Sequence, residues 1–286
     1  MRQTELSMTK LVGILAKTQS KEALATARKS FRVIMDSGLT PVPEADLSRT
    51  AKLAGGKPLN RMKVDLLITL GGDGTVLKAI QELPNPQTPI LAVNLGRRGY
   101  LTEIEPEDLE KSFTRWLKRD FQMEAQWCVS VSQNNRLIGN CLNEALLLPT
   151  VPDKMLNFDV SQSGRRIIKA RADGFMVATP TGSTAHSFSA GGPVLETSLD
   201  VFALTLIAPL QPVKSIVVPA DRRITVSLEE PGPTATLVMD GNPVKEIRRG
   251  QPLEMKKSSV SARFVRFGDT FLQRGLRRLA SERENV

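Results

Sequence analysis

Apolar and polar positions alternate along this chain in two different rhythms. Leu11-Val-Gly-Ile-Leu-Ala16 is a short, continuous apolar run of the kind that forms a parallel strand buried on both faces. Ala23, Ala27, Phe31 and Ile34 then recur at helical spacing, which predicts an amphipathic helix over Glu22 to Met35, ended by Gly38. A second apolar run, Val64 to Leu70, predicts a strand. A helix from Thr75 to Leu83 follows it and stops at Pro84. Ile90 to Asn94 reads as a third strand and Glu107 to Lys118 as a third helix. Strands and helices alternating at this length predict βαβ units and a parallel sheet.

Near Asp120 the rhythm changes. Short β-rich runs follow, separated by Pro and Gly turns: Trp127–Val131, Asn157–Gln162, Phe175–Thr179, Ala203–Ala208, Arg223–Leu228 and Thr236–Met239. This half predicts an all-β sandwich over 121–263 behind an α/β domain over 1–120. Helical spacing returns from Thr270 to Ser281, through Phe271, Leu272, Leu276 and Leu279. The basic residues from Arg263 to Arg278 read as the solvated face of that helix.

Composition narrows the chemistry. With 286 residues, two domains are the natural expectation. A net charge of +9 favours an anionic partner. Aromatic content of 5% leaves few platforms for stacking single strands, so a phosphorylated small ligand is favoured over nucleic acid. No run is long enough to cross a bilayer and nothing at the N-terminus resembles a secretory signal. The two cysteines, Cys128 and Cys141, form no CxxC, so a reducing, cytoplasmic home and buried thiols are expected. A single histidine, His186, excludes a zinc site built from several imidazoles.

The strongest local feature is Leu70-Gly71-Gly72-Asp73-Gly74-Thr75, between a strand and a helix. Glycines there let a ligand approach the backbone, and amides at a helix start suit a phosphate. Asp73 beside a bound anion makes sense if it orients a hydroxyl nucleophile or holds Mg²⁺. The loop is neither a Walker A sequence, which needs GK[ST], nor a GxGxxG fingerprint, because Leu77 stands where the last glycine belongs. An ordinary Asp-Gly turn is the bland alternative.

The second feature is the stretch from Thr179 to Pro193, rich in hydroxyls and glycines, read as an open polar loop offering donors to a nucleotide or as plain surface. Asn143-Glu144 can clamp ribose hydroxyls or an adenine edge, or be a turn or edge pair. Arg171 and Asp173 flank Ala172 before a strand, where a surface ion pair is the simpler reading. Asp240-Gly241 signals a hairpin turn.

Taken together, Gly71–Thr75, Asn143-Glu144, Asp173-Gly174 and Thr179-Pro-Thr-Gly-Ser-Thr-Ala185 with Gly191-Gly192 resemble the NAD kinases. Asn94-Leu-Gly96 and Gly99-Tyr-Leu-Thr-Glu103 also resemble a family segment. The likeness runs over roughly Val12 to Gly241. The first motif is shared in form with lipid kinases of the diacylglycerol and sphingosine type and with phosphofructokinases; the second loop is the specific one. A lipid kinase would want an apolar channel or interfacial helix, and neither is evident. A non-catalytic NADP-binding protein is a further alternative, against which an intact Asp73 speaks.

The resemblance implies a Rossmann-like parallel domain, a β-sandwich, and a C-terminal helix (264–286) returning to the first domain. It implies phosphoryl transfer from ATP or polyphosphate to the adenosine ribose of NAD, Mg²⁺ travelling with the donor phosphates, and a homodimer or homotetramer whose neighbouring subunit completes the substrate site. It assigns catalysis to Asp73 and donor phosphates to Gly71, Gly72, Gly74 and Thr75. NAD contacts fall on Asp73, Gly74, Lys78, Asn143, Glu144, Lys154, Arg171, Asp173, Thr184, Ala185, His186, Ser187, Phe188, Ser189 and Asn242. His186 stands where the family usually has Tyr, Tyr100 where it has Phe, and Asn242 where it has Gln.

Overall fold

The computed structural model describes residues 10–96 and 99–268, and the fold is two compact units. Unit 1 comprises residues up to Ala125 together with those from Ala262 onward; unit 2 is Gln126–Ser261. Among the described residues no helix is long and apolar enough to cross a membrane.

Unit 1 opens with β1 (Leu11–Ala16) and α1 (Lys21–Asp36), continues through β2 (Thr40–Pro43) and α2 (Ala45–Ala51), then β3 (Leu66–Gly71), α3 (Asp73–Glu82), β4 (Pro89–Asn94) and α4 (Leu109–Leu117). Ser20 caps α1 by accepting from the Ala23 amide, and Gly38, at φ +75°, turns the chain out of its far end. β1 pairs in parallel with both β2 and β3, and β3 with β4. The chain returns on β16 (Leu253–Arg266), whose Arg263 and Phe264 pair in parallel with Pro89 and Ile90. Within unit 1 the strand order is therefore β2-β1-β3-β4-β16, all parallel. Val12, Ile14, Leu66, Ile68, Leu91 and Val93 fill the core against Ala23, Ala27 and Ile34 of α1 and Phe113 and Trp116 of α4.

Unit 2 is entered on β5 (Gln122–Gln133), followed by β6 (Arg136–Cys141), β7 (Glu144–Pro149), β8 (Leu156–Gln162), β9 (Arg165–Ala172) and β10 (Gly174–Ala178). A short helix, α5 (His186–Ser189), precedes β11 (Val201–Ile207), β12 (Ile216–Pro219), β13 (Ile224–Glu229), β14 (Ala235–Met239) and β15 (Asn242–Ile247). One antiparallel layer runs β12-β11-β10-β7-β14-β15; the other joins β16 to β13, β8 and β9, with β5 beside β16 and β6 beside β5. Alternate residues of the two layers share one core, where Phe158 meets Phe175 at 5.6 Å and Trp127 meets Phe202 edge-on at 5.5 Å. Cys128 and Cys141 are buried free thiols, and burial pushes the Cys141 thiol well up, so it is inert.

Two expectations need correction. The helix after β3 begins at Asp73 rather than Thr75, because Gly72 is extended (φ −95°, ψ −168°) and caps it. Arg263–Arg266 do not begin a solvated helix: they end β16, and Arg266 is only 3% exposed. The helix expected over Thr270–Ser281 and its return to the first domain lie outside the described residues.

Candidate active site

In unit 1, β1 leads through α1 to β2 on one side and β3 leads through α3 to β4 on the other. The carboxyl ends of β1 and β3 therefore flank the topological switch point, where open α/β sheets bind ligands. A cleft of about 420 Å³ opens there. Lys17, Thr18 and Gln19 line it from the end of β1, Glu44 and Asp46 from the end of β2, and Gly72, Gly74, Thr75 and Lys78 from the start of α3. Glu44 Oε2 accepts from the Asp46 and Leu47 amides (2.9 and 3.2 Å) and so caps α2. The sequence reading missed Lys17, Thr18, Gln19, Glu44 and Asp46; each lies within three residues of the end of a strand, the one signal that could have marked them.

The glycines of the loop have local reasons. A Cβ on Gly71 would lie 2.2 Å from Thr75 Oγ1, so the turn into α3 closes only without one. Asp73 takes the first helical position, where its charge suits the positive end of the helix. Its two carboxylate oxygens accept from the Tyr100 and Leu101 amides, both at 3.0 Å. That fixes the carboxylate plane.

In unit 2 the segment Leu142–Glu144 is a hub. Asp240, at φ +47° with Gly241 at φ +81°, makes the tight β14–β15 hairpin expected from its sequence. Its carboxylate also accepts from the amides of Leu142 (2.8 Å), Asn143 (2.7 Å) and Glu144 (3.3 Å). Asn143 and Glu144 are 8% and 6% exposed, and β7 is flanked by β10 and β14, so they are not an edge pair. Glu144 Oε2 is buried with no hydrogen-bond partner among the described residues. Burial, and then the charge of Asp240, push the Glu144 carboxyl up to about 8.

The stretch after β10 is not an open loop. Thr181–Thr184 forms a 3₁₀ turn and His186–Ser189 a helical one. Thr179 Oγ1 donates to the Leu142 carbonyl (2.6 Å) and accepts from the Gly182 amide (3.0 Å). Thr181 donates to Gln126 Oε1, Ser183 to the Pro180 carbonyl and Thr184 to the Thr181 carbonyl, and the Ser187 and Thr205 hydroxyls are hydrogen-bonded to each other. The hydroxyls of Thr179, Thr181, Ser183, Thr184 and Ser187, read as ligand donors, are therefore buried and hydrogen-bonded inside the fold, as buried polar groups must be. Gly182 passes so close to Asn143 that a Cβ would sit 2.1 Å from its carbonyl oxygen. His186, Phe188 and Ser189 are exposed.

The structure thus brings Asn143, Glu144 and the Thr179–Thr184 turn together. Of the other residues implied for NAD, Asp73, Gly74 and Lys78 belong to unit 1, and Lys154, Arg171, Asp173 and Asn242 lie elsewhere in unit 2. Lys154 and Asp173 are exposed in turns, and Asn242 is exposed at the start of β15. Arg171, on the edge strand β9, lines a 250 Å³ hollow with Lys169, Asn157 and Glu229 that takes in none of the others. No ion pair joins Arg171 to Asp173 among the described residues. Among those residues, too, no group of three or more His, Cys, Asp or Glu is placed to hold a metal.

The ATP-NAD kinase N-terminal domain model matches residues 12–121 and the ATP-NAD kinase C-terminal domain model matches 142–267. The chain belongs to the NAD kinase family. It is 32% identical over 92% of its length to the NAD kinase of Methanothermobacter thermautotrophicus, covering 94% of that protein. It is 35% identical over 90% of its length to that of Methanoregula boonei, again covering 94%. An NAD kinase from Archaeoglobus fulgidus, solved in complex with ATP, superposes with a TM-score of 0.74 at 28% identity, over 96% of this chain and 99% of that one. Yeast NADH kinase, complexed with NADH, superposes at 0.88 with 21% identity, over 96% of this chain and 88% of that one, and shares the fold.

Proposed function

We infer that this chain transfers the terminal phosphoryl group of ATP to the 2′-hydroxyl of the adenosine ribose of NAD, giving NADP. The carrying observation is the placement of Asp73. An oriented carboxylate stands in a glycine loop that lines the switch-point cleft. The solved complex of the Archaeoglobus fulgidus relative with ATP supports ATP as donor. Donor phosphates would lie along Gly72, Gly74 and Thr75, with the ammonium groups of Lys17 and Lys78 on the same cleft. Asn143 and Glu144 would hold the ribose of NAD, with Thr184 through Ser189 beside them. Lys154, Arg171, Asp173 and Asn242 are exposed, which suits contacts to NAD made with a neighbouring subunit of a homodimer or homotetramer. A cytoplasmic setting fits the buried free thiols.

In the transfer, the ribose oxygen forms a bond to the γ-phosphorus as the bridging oxygen to the β-phosphate departs with ADP. A carboxylate is too weak a base to remove the hydroxyl proton beforehand. Asp73 would orient the oxygen in line and take the proton late in the reaction. Mg²⁺ commonly binds through one or two carboxylates plus substrate phosphates. Asp73 would be such a carboxylate, and bound Mg²⁺ would neutralise charge on the transferring group.

The test is incubation with ATP, Mg²⁺ and NAD, with NADP as readout. Asp73→Asn should keep the fold and NAD affinity and lose roughly 10²–10⁴-fold in kcat. No NADP from the wild-type chain, or a substituted chain with unchanged kcat, overturns the reading.

A further inference from the structure

We propose that Arg266 is a positioning residue for phosphoryl transfer, acting on Asp73 through the backbone on either side of Leu101. The proposal rests on the role given to Asp73 above. It begins from an oddity of burial. Arg266 ends β16 with its side chain 4% exposed, whereas an arginine at a strand end ordinarily reaches solvent. Two carboxylates share it. Nε donates to Glu124, and Nη1 lies 3.2 Å from Glu103, whose own side chain is 6% exposed. Its guanidinium also stacks 4.6 Å from the Phe264 ring centre.

The same Nη1 donates to the carbonyl of Leu101 at 3.1 Å. The amide of Leu101 donates to Asp73 Oδ1, and the neighbouring Tyr100 amide to Oδ2. The turn is thus gripped from both ends, by the Asp73 carboxylate on its amides and by the Arg266 guanidinium on its carbonyl. Glu103 closes the arrangement by accepting from the Phe267 amide at 2.8 Å, which ties the turn to the end of β16 a second time. A rigid planar fork with several donors is what can hold a carbonyl and two carboxylates at once; an ammonium cannot match that geometry. Because the two amides set the plane of the Asp73 carboxylate, a displaced turn tilts the group that must meet the ribose hydroxyl. A misplacement of about 1 Å costs on the order of 10²-fold in rate.

A merely structural arginine would affect stability alone. The experiment therefore measures kcat, both KM values and the unfolding temperature of full-length Arg266→Met and Arg266→Lys, alone and combined with Asp73→Asn. Arg266→Met should lose roughly 10–100-fold in kcat with KM for NAD and ATP within about twofold. Arg266→Lys keeps the buried charge and should fold, with about 5–10-fold lower kcat; it carries the test if Arg266→Met does not fold. In the Asp73→Asn background either substitution should cost less than about threefold more, because the group it positions is already disabled. Folded Arg266 variants with kcat within twofold of wild type overturn the proposal, as does a loss that multiplies in full with that of Asp73→Asn. If Asp73→Asn alone keeps its turnover, the role of Asp73 fails first and the proposal falls with it.

Discussion

Raising the pH should destabilise unit 2 through one buried residue, Glu144. Its carboxyl is pushed from an ordinary 4.5 up to about 8, by burial first and by the charge of Asp240 second. An unfolded glutamate titrates near its ordinary value, so between the two values the folded chain holds one proton more than the unfolded chain. The stabilisation is fully present below about 4.5 and is lost as the pH rises through about 8. A gap of about 3.5 pH units at about 1.36 kcal/mol each is worth about 5 kcal/mol. At 6% exposure, solvent screening takes little from that figure. Glu144→Gln keeps the volume and cannot ionise, so other titrations cancel in the comparison. Its advantage over wild type should grow by about 1.4 kcal/mol per pH unit and level off near pH 8. The assay is urea unfolding from pH 5 to 9 in a Trp116→Phe background, which leaves Trp127, in the unit 2 core, as the fluorescent reporter. A difference between the two chains that does not change with pH refutes the reasoning.

Lys17→Ala should raise KM for ATP by about 10-fold, the value of a charge-assisted hydrogen bond to phosphate, and leave KM for NAD unchanged in steady-state kinetics; a rise for NAD instead would reassign the cleft. Gly182→Ala puts a methyl 2.1 Å from the Asn143 carbonyl oxygen, so its unfolding temperature should fall by several degrees, and a wild-type value in a thermal melt would contradict the close approach. Light scattering at micromolar concentration should show at least a dimer, and a fully active monomer would remove the neighbouring subunit from the NAD site.

What the sequence disclosed of the fold follows from burial. β1, β3 and β4 are apolar on both faces, and such runs stand out. β2 is Thr-Pro-Val-Pro, and two prolines mask a strand; it exists because it lies at the edge of the sheet, where a missing donor is tolerated. β16 was hidden for another reason. Glu254, Lys256, Lys257 and the serines interrupt its apolar positions, since only its ends, at Leu253 and Met255 and at Ala262, Phe264 and Val265, are in core. A fourteen-residue strand with a polar middle has no clean period of two to read.

The site divides along a similar line. Gly71–Thr75 was legible because glycines that admit a ligand or a tight turn leave a spacing on the page. The hydroxyls of Thr179–Ser189 were legible as polar but not as to direction. A serine or threonine can answer a ligand or the nearby backbone equally well, and only the burial of the turn decides between them. At Thr179, Ser183 and Thr184 burial decides for the backbone: Ser183 both donates to the Pro180 carbonyl and accepts from the Leu195 amide, so it fastens the turn to the following segment. Asp240 and Arg266 were illegible for the same reason carried further. One read as a hairpin residue, which it is, and the other as a solvated charge, which its 3% exposure overturns. Their partners lie 96 to 98 and 142 to 165 positions away, so what they hold becomes visible only when the chain has brought those backbone groups to them.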